Sequence, residues 1–497
     1  MSGSLWMPPG SRPDTLPAIP RQRTPSWAEP DPVDELAARL DDFVAAAVHP
    51  DEIAALLESD GLSDDQIRER YGVKNSFALA EELYERVERR YPEPEGPVHD
   101  PWQVGLLGCL LRGVVFALPG LGYVLGAPFL AGPRGDLGLP AGTVPLLAGA
   151  LCGWTWNQGL AHRAYSWLGL GDRPAARHSL LIGTPLGVLL GTLVASAVAG
   201  LGDLNAVAFA AGQSVYLGAA TILLVMGRER RLLAALLPMA VGAAIDLVHP
   251  VPDAARLALL LGSLAVVAVL GFLEVAPAVS APQGRGELRD QPQRTRSRPP
   301  TVGPRLNASL PYALFGLGTG VLVVYASLGD VLTGEEQSAI AAPAAVALTL
   351  SMGPAEFLLY RFRSGSLTGL RSTSTPKAFW RTTATTVIQC LTAYLAGLLA
   401  LSLTTSALWP HAQPLDGIRL AGLLLLGVAL WTGLLLQSFG AVTAAAAVCC
   451  AAALAQSLAL VTHTGDPHRV GLIVYGTAAV TLAALVCALL GRATAHR

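Results

Sequence analysis

The sequence predicts an all-α, polytopic membrane protein with two six-helix halves and a small helical domain at its N-terminal end. About twelve apolar stretches each run for about 20 residues, long enough to cross the roughly 30 Å hydrocarbon core as a helix. Hydrophobic residues make up 52% of the 497 residues and charged residues only 14%, whereas soluble domains have about 25% charged residues. A charged, proline-rich stretch, Glu274 to Arg305, divides the apolar stretches into two blocks of six.

Charge is distributed unevenly along the chain. Residues 29–95 contain 19 acidic and seven basic residues, a balance of −12, while the remaining 27 basic and 17 acidic residues give +10. Lys74 and Lys377 are the only lysines, and this arginine excess is typical of the amino-acid usage of a high-GC bacterial genome, such as that of an actinobacterium. All six cysteines fall in apolar stretches, so they are interpreted as packing residues. The cysteine pattern predicts no disulfide framework, metal site or cofactor.

The N-terminal region predicts two segments of different character. Residues 1–32 are rich in Pro, Ser and Arg, a composition that predicts a disordered cytoplasmic tail. Residues 33–95 show short amphipathic helical patterns and predict an acidic cytoplasmic helical domain. Within it, Asp51 and Ser63 are predicted N-caps, and Gly72 is a predicted helix stop.

This acidic domain is predicted to bind a protein and not nucleic acid. Residues 62–76 faintly resemble a helix-turn-helix motif, with Gly72 in the turn. DNA binding requires a basic face toward the phosphates, which a domain with a balance of −12 does not offer. We therefore expect it to dock on the membrane domain or on a cytoplasmic protein partner.

Membrane spans and the segments between them follow from the apolar pattern. The two halves are residues 102–275 and 309–491, residues 276–308 form a basic Pro/Arg-rich cytoplasmic linker, and residues 492–497 form a cytoplasmic tail. The predicted spans are 103–126, 141–160, 180–200, 206–226, 232–248, 254–274, 310–328, 338–359, 382–403, 420–437, 442–461 and 470–490.

Arginine placement predicts the orientation, because short cytoplasmic loops are enriched in Lys and Arg. With the N-terminus inside, the opposite loops hold at most a single arginine each, and an even number of crossings places both termini in the cytoplasm of a bacterial cell, with the spans in its inner membrane. The residues predicted on the cytoplasmic side are Arg163, Arg173, Arg177, Arg228, Arg230, Arg231, Arg361, Arg363, Arg371, Lys377 and Arg381.

A weak internal repeat relates the two blocks. The second span ends in the segment 156–163 and the eighth in the segment 355–361, and each is followed by a long, basic predicted loop. With six spans per half, both halves enter the membrane from the cytoplasm, so the repeat is parallel. Transporters built in this way bind substrate between their halves.

On these features the chain resembles the multidrug/oligosaccharidyl-lipid/polysaccharide flippase superfamily. The resemblance rests on the two six-span halves, the cytoplasmic linker and the loop 161–177, which contains the step Gly171-Asp172 followed by Arg177. The matching loop of the second half, 361–381, lacks the Gly-Asp step. The resemblance implies export, by alternating access, of an amphipathic cargo such as a lipid-linked sugar, a polysaccharide unit or a lipophilic cation. Membrane lipids are the surrounding partner.

Ionisable residues inside spans are the first candidates for a site, because a charge at mid-membrane costs about 2.5–3.5 kcal/mol on insertion scales. Arg112 lies about ten residues into the first predicted span and suits an anionic pyrophosphate-lipid headgroup. The alternatives are a structural pair with a carboxylate or backbone carbonyls, or a span that begins later. Glu356 is a candidate for proton or sodium coupling, or else a headgroup-level residue paired with Arg361 or Arg363.

Polar amides and tryptophans complete the candidate set. The amides either contact cargo or bond neighbouring helices, at roughly 0.6 kcal/mol each. Asp246 and Glu274 close their spans and are interpreted as interfacial, as are Trp154, Trp156, Trp167, Trp380, Trp409 and Trp431. The predicted cargo-binding amides are Asn157, Gln158, Gln213, Gln389 and Gln437.

Two functions remain open on the sequence. The first is a flippase-like transporter. The second is a non-transporting membrane scaffold in cell-envelope assembly or development, which recruits partners through residues 33–95. An enzyme is not predicted, because the chain has no Gly-Lys-Ser/Thr phosphate loop, no recognisable Ser/His/Asp set and no loop long enough for an outer catalytic domain.

Overall fold

The computed structural model describes residues 31–90, 105–130, 139–140, 142–200, 203–280, 303–332, 343–372, 375–408 and 417–490. The chain divides into two compact units, residues 1–99 and residues 100–497. Every regular element in the described ranges is a helix, which confirms the all-α class. The predicted tails over residues 1–30 and 492–497, the linker over 281–302 and the predicted interfacial Trp409 lie outside these ranges.

Four short helices build the described part of the first unit. They are α1 (Pro32–Ala46), α2 (Pro50–Ser59), α3 (Asp64–Tyr71) and α4 (Ser76–Arg86). Their apolar faces meet in a separate core whose fully buried side chains include Ile53, Leu57, Ile67, Leu79 and Leu83. This unit therefore has its own hydrophobic core, which helical periodicity places on one face of each helix.

The ends of these helices follow the capping rules with one correction. Ser63 and Gln66 form a reciprocal capping box at α3, and Gly72 ends α3 in the left-handed conformation at φ 71°, as predicted. The predicted N-cap at Asp51 is wrong, because α2 begins earlier, with Pro50 in its first turn and His49 as the cap. Proline suits the first helical position, where its missing N–H needs no partner.

Arg86 joins α4 to the start of α1 through three carboxylates. Its guanidinium lies 2.9 Å from Asp31, 2.5 Å from Asp34 and 2.7 Å from Glu82. Asp31 also caps α1 by accepting a hydrogen bond from the Val33 N–H at 2.9 Å. The Val33 N–H and then Arg86 hold the pKa of Asp31 below its ordinary value, and the carboxylates raise the pKa of Arg86.

This cluster predicts an acid-dependent contribution to stability. An Asp with a lowered folded-state pKa stabilises the fold above its ordinary pKa of about 4, and the contribution disappears as the pH falls through the folded value. The variant Arg86→Ala is therefore expected to lower the melting temperature of a fragment covering residues 31–90 at pH 7. The gap to the wild type is expected to close below about pH 4, as followed by circular dichroism.

The control for this prediction is Arg39→Ala. Arg39 lies on the exposed side of α1, outside the group of carboxylates that contact Arg86. Its removal takes away one positive charge without disturbing that group. An equal gap for both variants at all pH values would contradict the proposed role of the cluster.

The described part of the second unit consists mainly of long helices. Its helices are α5 (Leu106–Gly126), α6 (Thr143–Gly169), α7 (Arg173–Ala199), α8 (Leu204–Val225), α9 (Glu229–Asp246), α10 (Asp253–Val275), the short α11 (Pro277–Ser280), α12 (Leu310–Leu332), α13 (Pro343–Ser372), α14 (Pro376–Leu408), α15 (Gly417–Ser438), α16 (Val442–Val461) and α17 (Pro467–Leu490).

Nine of the helices in the described ranges are long and apolar enough to cross a membrane. They correspond to nine of the predicted spans and indicate a membrane protein. The other three predicted spans fall in α6, α9 and α13, which are long but carry more polar sequence. Asn157 and Gln158 lie in α6, Glu229 opens α9, and Glu356 lies in α13.

Two predicted loops are mostly helical. The segment 161–177 is α6 as far as Gly169, a three-residue turn, and then α7 from Arg173. In that turn Gly171 takes the left-handed conformation at φ 74°, and the Asp172 carboxylate accepts the Ala175 N–H at 2.9 Å as an N-cap. The segment 361–381 is likewise helical as far as Ser372 and again from Pro376. Helix-forming residues continue past the predicted ends, so the helices extend beyond the apolar spans.

Helix packing in the second unit follows a regular order. Among α5 to α10, close pairs include α5–α9, α6–α7, α7–α8 and α8–α10. Among α12 to α17, they include α12–α16, α13–α14, α14–α15 and α15–α17. Helices of the first set pack against helices of the second set at α5–α13 and at α6–α12.

Two of the tryptophans predicted to be interfacial donate hydrogen bonds to neighbouring helices. Trp431 is fully buried, and its indole N–H donates to the Ala355 carbonyl at 3.3 Å, between α15 and α13. Trp156 donates to the Gly183 carbonyl at 2.7 Å, between α6 and α7. A buried indole needs an acceptor, and here a backbone carbonyl of a neighbouring helix provides it. Trp154 and Trp380, in contrast, are exposed.

Candidate functional site at the α5–α13 contact

A three-charge cluster lies where α5 meets α9 and α13. Arg112, in the second turn of α5, donates from Nε to Glu229 Oε1 at 3.1 Å, and from Nη1 to Glu356 Oε1. Glu229 is the first residue of α9 and Glu356 lies near the middle of α13. The carboxylate side chains are 21% and 23% exposed and the Arg112 side chain is 37% exposed, so all three are partly withdrawn from solvent.

The cluster has more acidic than basic groups. Two carboxylates face one guanidinium, so its formal charge is −1 when all three are ionised. Tyr360, one turn after Glu356 on α13, donates its hydroxyl to Glu356 Oε1 at 3.1 Å. Glu356 thus has a second donor, and Arg112 is engaged by two carboxylates. While both carboxylates contact the guanidinium, this arrangement does not favour an anionic ligand.

Two glycines bring the α5 and α13 backbones together beside this cluster. A Cβ placed on Gly113 would lie 3.0 Å from the Gly353 nitrogen, and a Cβ placed on Gly353 would lie 2.7 Å from the Cys109 carbonyl oxygen. Gly113 follows Arg112 directly, and Gly353 is three residues before Glu356, on the same face of its helix. The close approach of the two backbones therefore sets the distance between Arg112 and Glu356.

The α6–α12 contact has similarly small residues and a polar end. Gly316 faces the Gln158 side chain, with Cγ 2.7 Å from a Cβ placed on the glycine. Nearer the start of α12, the His162 ring stacks on Tyr312 at a centroid distance of 3.7 Å, and His162 Nδ1 lies 3.0 Å from the Ser309 hydroxyl oxygen. Both contacts between the two helix sets thus have polar side chains toward the end at which α5 and α12 begin.

The structure brings some predicted site residues together and leaves others apart. Arg112 and Glu356 contact each other directly. The pairing of Arg112 with a carboxylate, one of the alternatives predicted for it, is therefore present. Glu356 is paired with Arg112; the predicted pairing with Arg361 or Arg363 stays an alternative. Gln158 lies at the α6–α12 contact. That any of these residues binds cargo or couples ions stays a prediction.

The remaining predicted amides are dispersed. Asn157 donates to the Gly153 carbonyl of its own helix at 2.8 Å. Gln213 in α8 and Gln437 in α15 are partly buried, and their side-chain oxygens have no hydrogen-bond partner among the described residues. Gln389 is exposed on α14. None of these four is shown in contact with the Arg112 cluster.

The two carboxylates that close predicted spans are buried in ion pairs. The Glu274 side chain is buried and has Arg177 at 3.0 Å and Arg228 at 2.9 Å. The Asp246 side chain is also buried and lies 2.7 Å from Arg256. Buried carboxylates require such partners, so both residues are structural ion pairs between helices.

Sequence reasoning missed Glu229, Tyr360 and the His162–Tyr312 stack. Glu229 stands among Arg228, Arg230 and Arg231, where it resembles part of a solvated loop. The only available signal was indirect: an arginine inside a span requires a counter-charge, and Glu229 is one of the few acidic residues next to a span. Which helix provides that counter-charge depends on packing. Comparison with known protein families, curated proteins and solved structures gives no match to the chain.

Proposed function

We propose that this protein is a membrane transporter of the flippase type, which moves an amphipathic cargo between two six-helix halves by alternating access. The first half is α5 to α10 and the second is α12 to α17. The observation that carries the proposal is the ionic contact of Arg112 with Glu356, because it joins one half to the other at a place where the halves would have to separate.

The order of helix contacts supports duplicated halves. We pair the helices of the two sets in chain order, so that α5 corresponds to α12, α6 to α13, and so on to α10 and α17. The close pair α5–α9 then corresponds to α12–α16, α6–α7 to α13–α14, and α8–α10 to α15–α17, and each of these is also a close pair. In the same pairing the α5–α13 contact corresponds to α12–α6. A pattern that maps onto itself in this way is expected of two halves related by an axis along the membrane normal.

The ion pair between the two halves supports a transporter whose halves move more than it supports a static scaffold. A buried or half-buried ion pair is often no more stabilising than well-packed apolar side chains, so a scaffold has little use for one between its halves. A pair that can form and break is useful where two arrangements must differ by only a few kcal/mol. In this proposal the Arg112–Glu356 contact and the His162–Tyr312 stack hold the two halves together, and we call each of them a latch. Both lie at the end where α5 and α12 begin, which we propose is the cytoplasmic end.

The cargo class follows from the resemblance and from the position of Arg112. While the latch is closed, two carboxylates occupy the guanidinium. When α13 separates from α5, one of those carboxylates leaves, and Arg112 gains capacity for an anionic diphosphate headgroup. We therefore propose a lipid-linked sugar as the cargo. A membrane scaffold that recruits a partner through residues 33–95 is the second candidate, favoured by the separate core of that unit.

Distance measurements between spin labels can test whether the halves move. Leu107, near the start of α5, and Leu306, just before α12, are 82% and 75% exposed, so labels at these two positions report across the halves. We expect a single short distance in the wild type and an additional longer distance when Glu356→Gln weakens the latch. A pair within the second half, Leu306 and Leu454, serves as the control and is expected to stay unchanged.

A cargo assay separates the two candidate functions. In proteoliposomes containing a polyprenyl diphosphate sugar with a fluorescent NBD group, external dithionite bleaches only the outer leaflet. Transport is expected to raise the bleached fraction above one half under a proton or sodium gradient. A fraction that stays at one half under either gradient, together with one fixed Leu107–Leu306 distance in all variants, would leave the scaffold as the function.

A further inference from the structure

We infer that the outer face of α7, α8 and α10 binds an anionic phospholipid, with its headgroup phosphate on an arginine cluster and an acyl chain in an adjoining groove. The cluster consists of Arg173, Arg177 and Arg228 around Glu274, and we call it the arginine triad. This lipid site is separate from the proposed transport function and does not depend on it, because it requires only that these helices lie in a bilayer.

The groove has the dimensions and surface of a hydrocarbon site. It has a volume of about 420 Å³ and lies entirely among α7, α8 and α10, with lining residues that include Leu181, Pro185, Leu189, Ala268 and Phe272. From Leu181 to Thr192 along α7 the helical rise is about 16 Å, close to the depth of one leaflet, which is about 15 Å. Its lining is almost wholly apolar, so a polar solute gains nothing there.

The arginine triad lies at one end of this groove. Leu181 is one helical turn beyond Arg177 on α7, and Val275, which also lines the groove, follows Glu274 directly. Glu274 Oε1 lies 3.0 Å from Arg177 and 3.8 Å from Arg173, and Glu274 Oε2 lies 2.9 Å from Arg228. Three guanidiniums around one carboxylate leave a formal charge of +2.

The exposed part of this cluster is cationic. The Glu274 side chain is 5% exposed, whereas the side chains of Arg177, Arg228 and Arg173 are 24%, 38% and 51% exposed. The carboxylate thus lies beneath the guanidiniums and orients them. Each guanidinium has five N–H donors in a planar fork that matches a phosphate, and the hydrogen bonds to Glu274 use one donor of Arg177 and one of Arg228.

Charge selects a lipid over the other possible occupants. The chain's own residues 281–302, which follow α11, contain five arginines and two acidic residues, so the arginine triad repels them. An apolar helix of another membrane protein fills the groove but leaves the cationic end without a counter-charge. Only a molecule with a phosphate at one end and a long hydrocarbon chain at the other matches both features.

Thermal unfolding of the full chain in detergent, titrated with lipid, tests this inference. Dioleoylphosphatidylglycerol is expected to raise the melting temperature more than dioleoylphosphatidylcholine does. The variant Arg173→Gln/Arg228→Gln, which keeps Arg177 on Glu274, is expected to raise the half-saturating concentration of phosphatidylglycerol about tenfold. The groove-filling variant Ala268→Phe is expected to have a similar effect while the headgroup contacts remain.

A matched control variant and two further probes distinguish this lipid site from a general charge effect and from a site for free phosphate. The variant Arg230→Gln/Arg231→Gln removes the same charge from two exposed residues just after Arg228, outside the cluster, and is expected to bind as the wild type does. Inorganic phosphate and short-chain dihexanoylphosphatidylglycerol are expected to cause no shift. Equal loss in the control variant, or an equal shift with phosphate, would overturn the inference.

Discussion

Gly353→Ala is expected to lower the free energy of unfolding of the second unit by about 1–3 kcal/mol, the typical cost of overpacking. A Cβ on Gly353 would lie 2.7 Å from the Cys109 carbonyl oxygen and 3.1 Å from the Leu110 Cα. Both atoms belong to the backbone of α5, so no side chain can rotate away and the helices must separate. The change would also move Glu356 away from Arg112. Unfolding in mixed micelles, followed by the fluorescence of the tryptophans in residues 100–497, measures the total effect.

Gly108→Ala provides the control for this prediction. Gly108 also lies on α5, but a Cβ there would have no atom within 4 Å. Alanine favours a helix over glycine by up to about 1 kcal/mol, so this variant is expected to be as stable as the wild type or more stable. If Gly353→Ala behaved in the same way, the close contact between α5 and α13 would not be a feature of the protein.

Arg112→Ala is expected to destabilise the second unit by about 1–3 kcal/mol, because it leaves two partly buried carboxylates without their common cation. Glu356→Gln is expected to cost less, about 1 kcal/mol, since Arg112 still has Glu229. In the double variant, loss of Arg112 no longer strands a charge at position 356. The combined cost is therefore expected to be smaller than the sum of the two single costs.

The same unfolding measurement completes this double-mutant cycle. Arg230→Ala is the control, because Arg230 lies at the start of α9, next to Glu229, and does not contact the cluster, and surface charges contribute little. Strict additivity of Arg112→Ala and Glu356→Gln would show that the two side chains do not interact. A wild-type stability for Arg112→Ala would show that the cluster does not stabilise the fold.

The apolar pattern predicted nine long apolar helices of the described residues, because hydropathy is a local property. The span predicted at 442–461 coincides with α16, and that at 470–490 lies within α17. The ends of α6, α7, α13 and α14 were missed for a physical reason: a helix does not stop where its apolar stretch stops. α6 continues through Ala, Tyr, Trp and Leu until the turn at Gly171, and the Asp172 N-cap then begins α7.

The candidate site was only half predictable. The cost of placing a charge in hydrocarbon singled out both Arg112 and Glu356. That these two residues meet depends on Gly113 and Gly353, which lie about 240 residues apart in the chain and bring two helices into backbone contact. Glycine inside an apolar span has many other uses, so the sequence does not tell which pairs form such a contact. Glu229 was missed for a similar reason.

The placement of Arg112 between Glu229 and Glu356 has a consequence for the energy barrier of any rearrangement. If α13 moves away from α5, the Arg112 guanidinium stays paired with Glu229, because Glu229 lies on α9 in the same half as α5. Glu356 keeps its hydrogen bond from the Tyr360 hydroxyl, which lies on its own helix. Arg112 therefore keeps an ion-pair partner throughout, whereas Glu356 keeps only a neutral hydrogen-bond donor, so the electrostatic cost of the motion falls mainly on Glu356. The motion would thus replace one shared cation by a single ion pair, Arg112–Glu229, and a hydrogen-bonded carboxylate, Glu356.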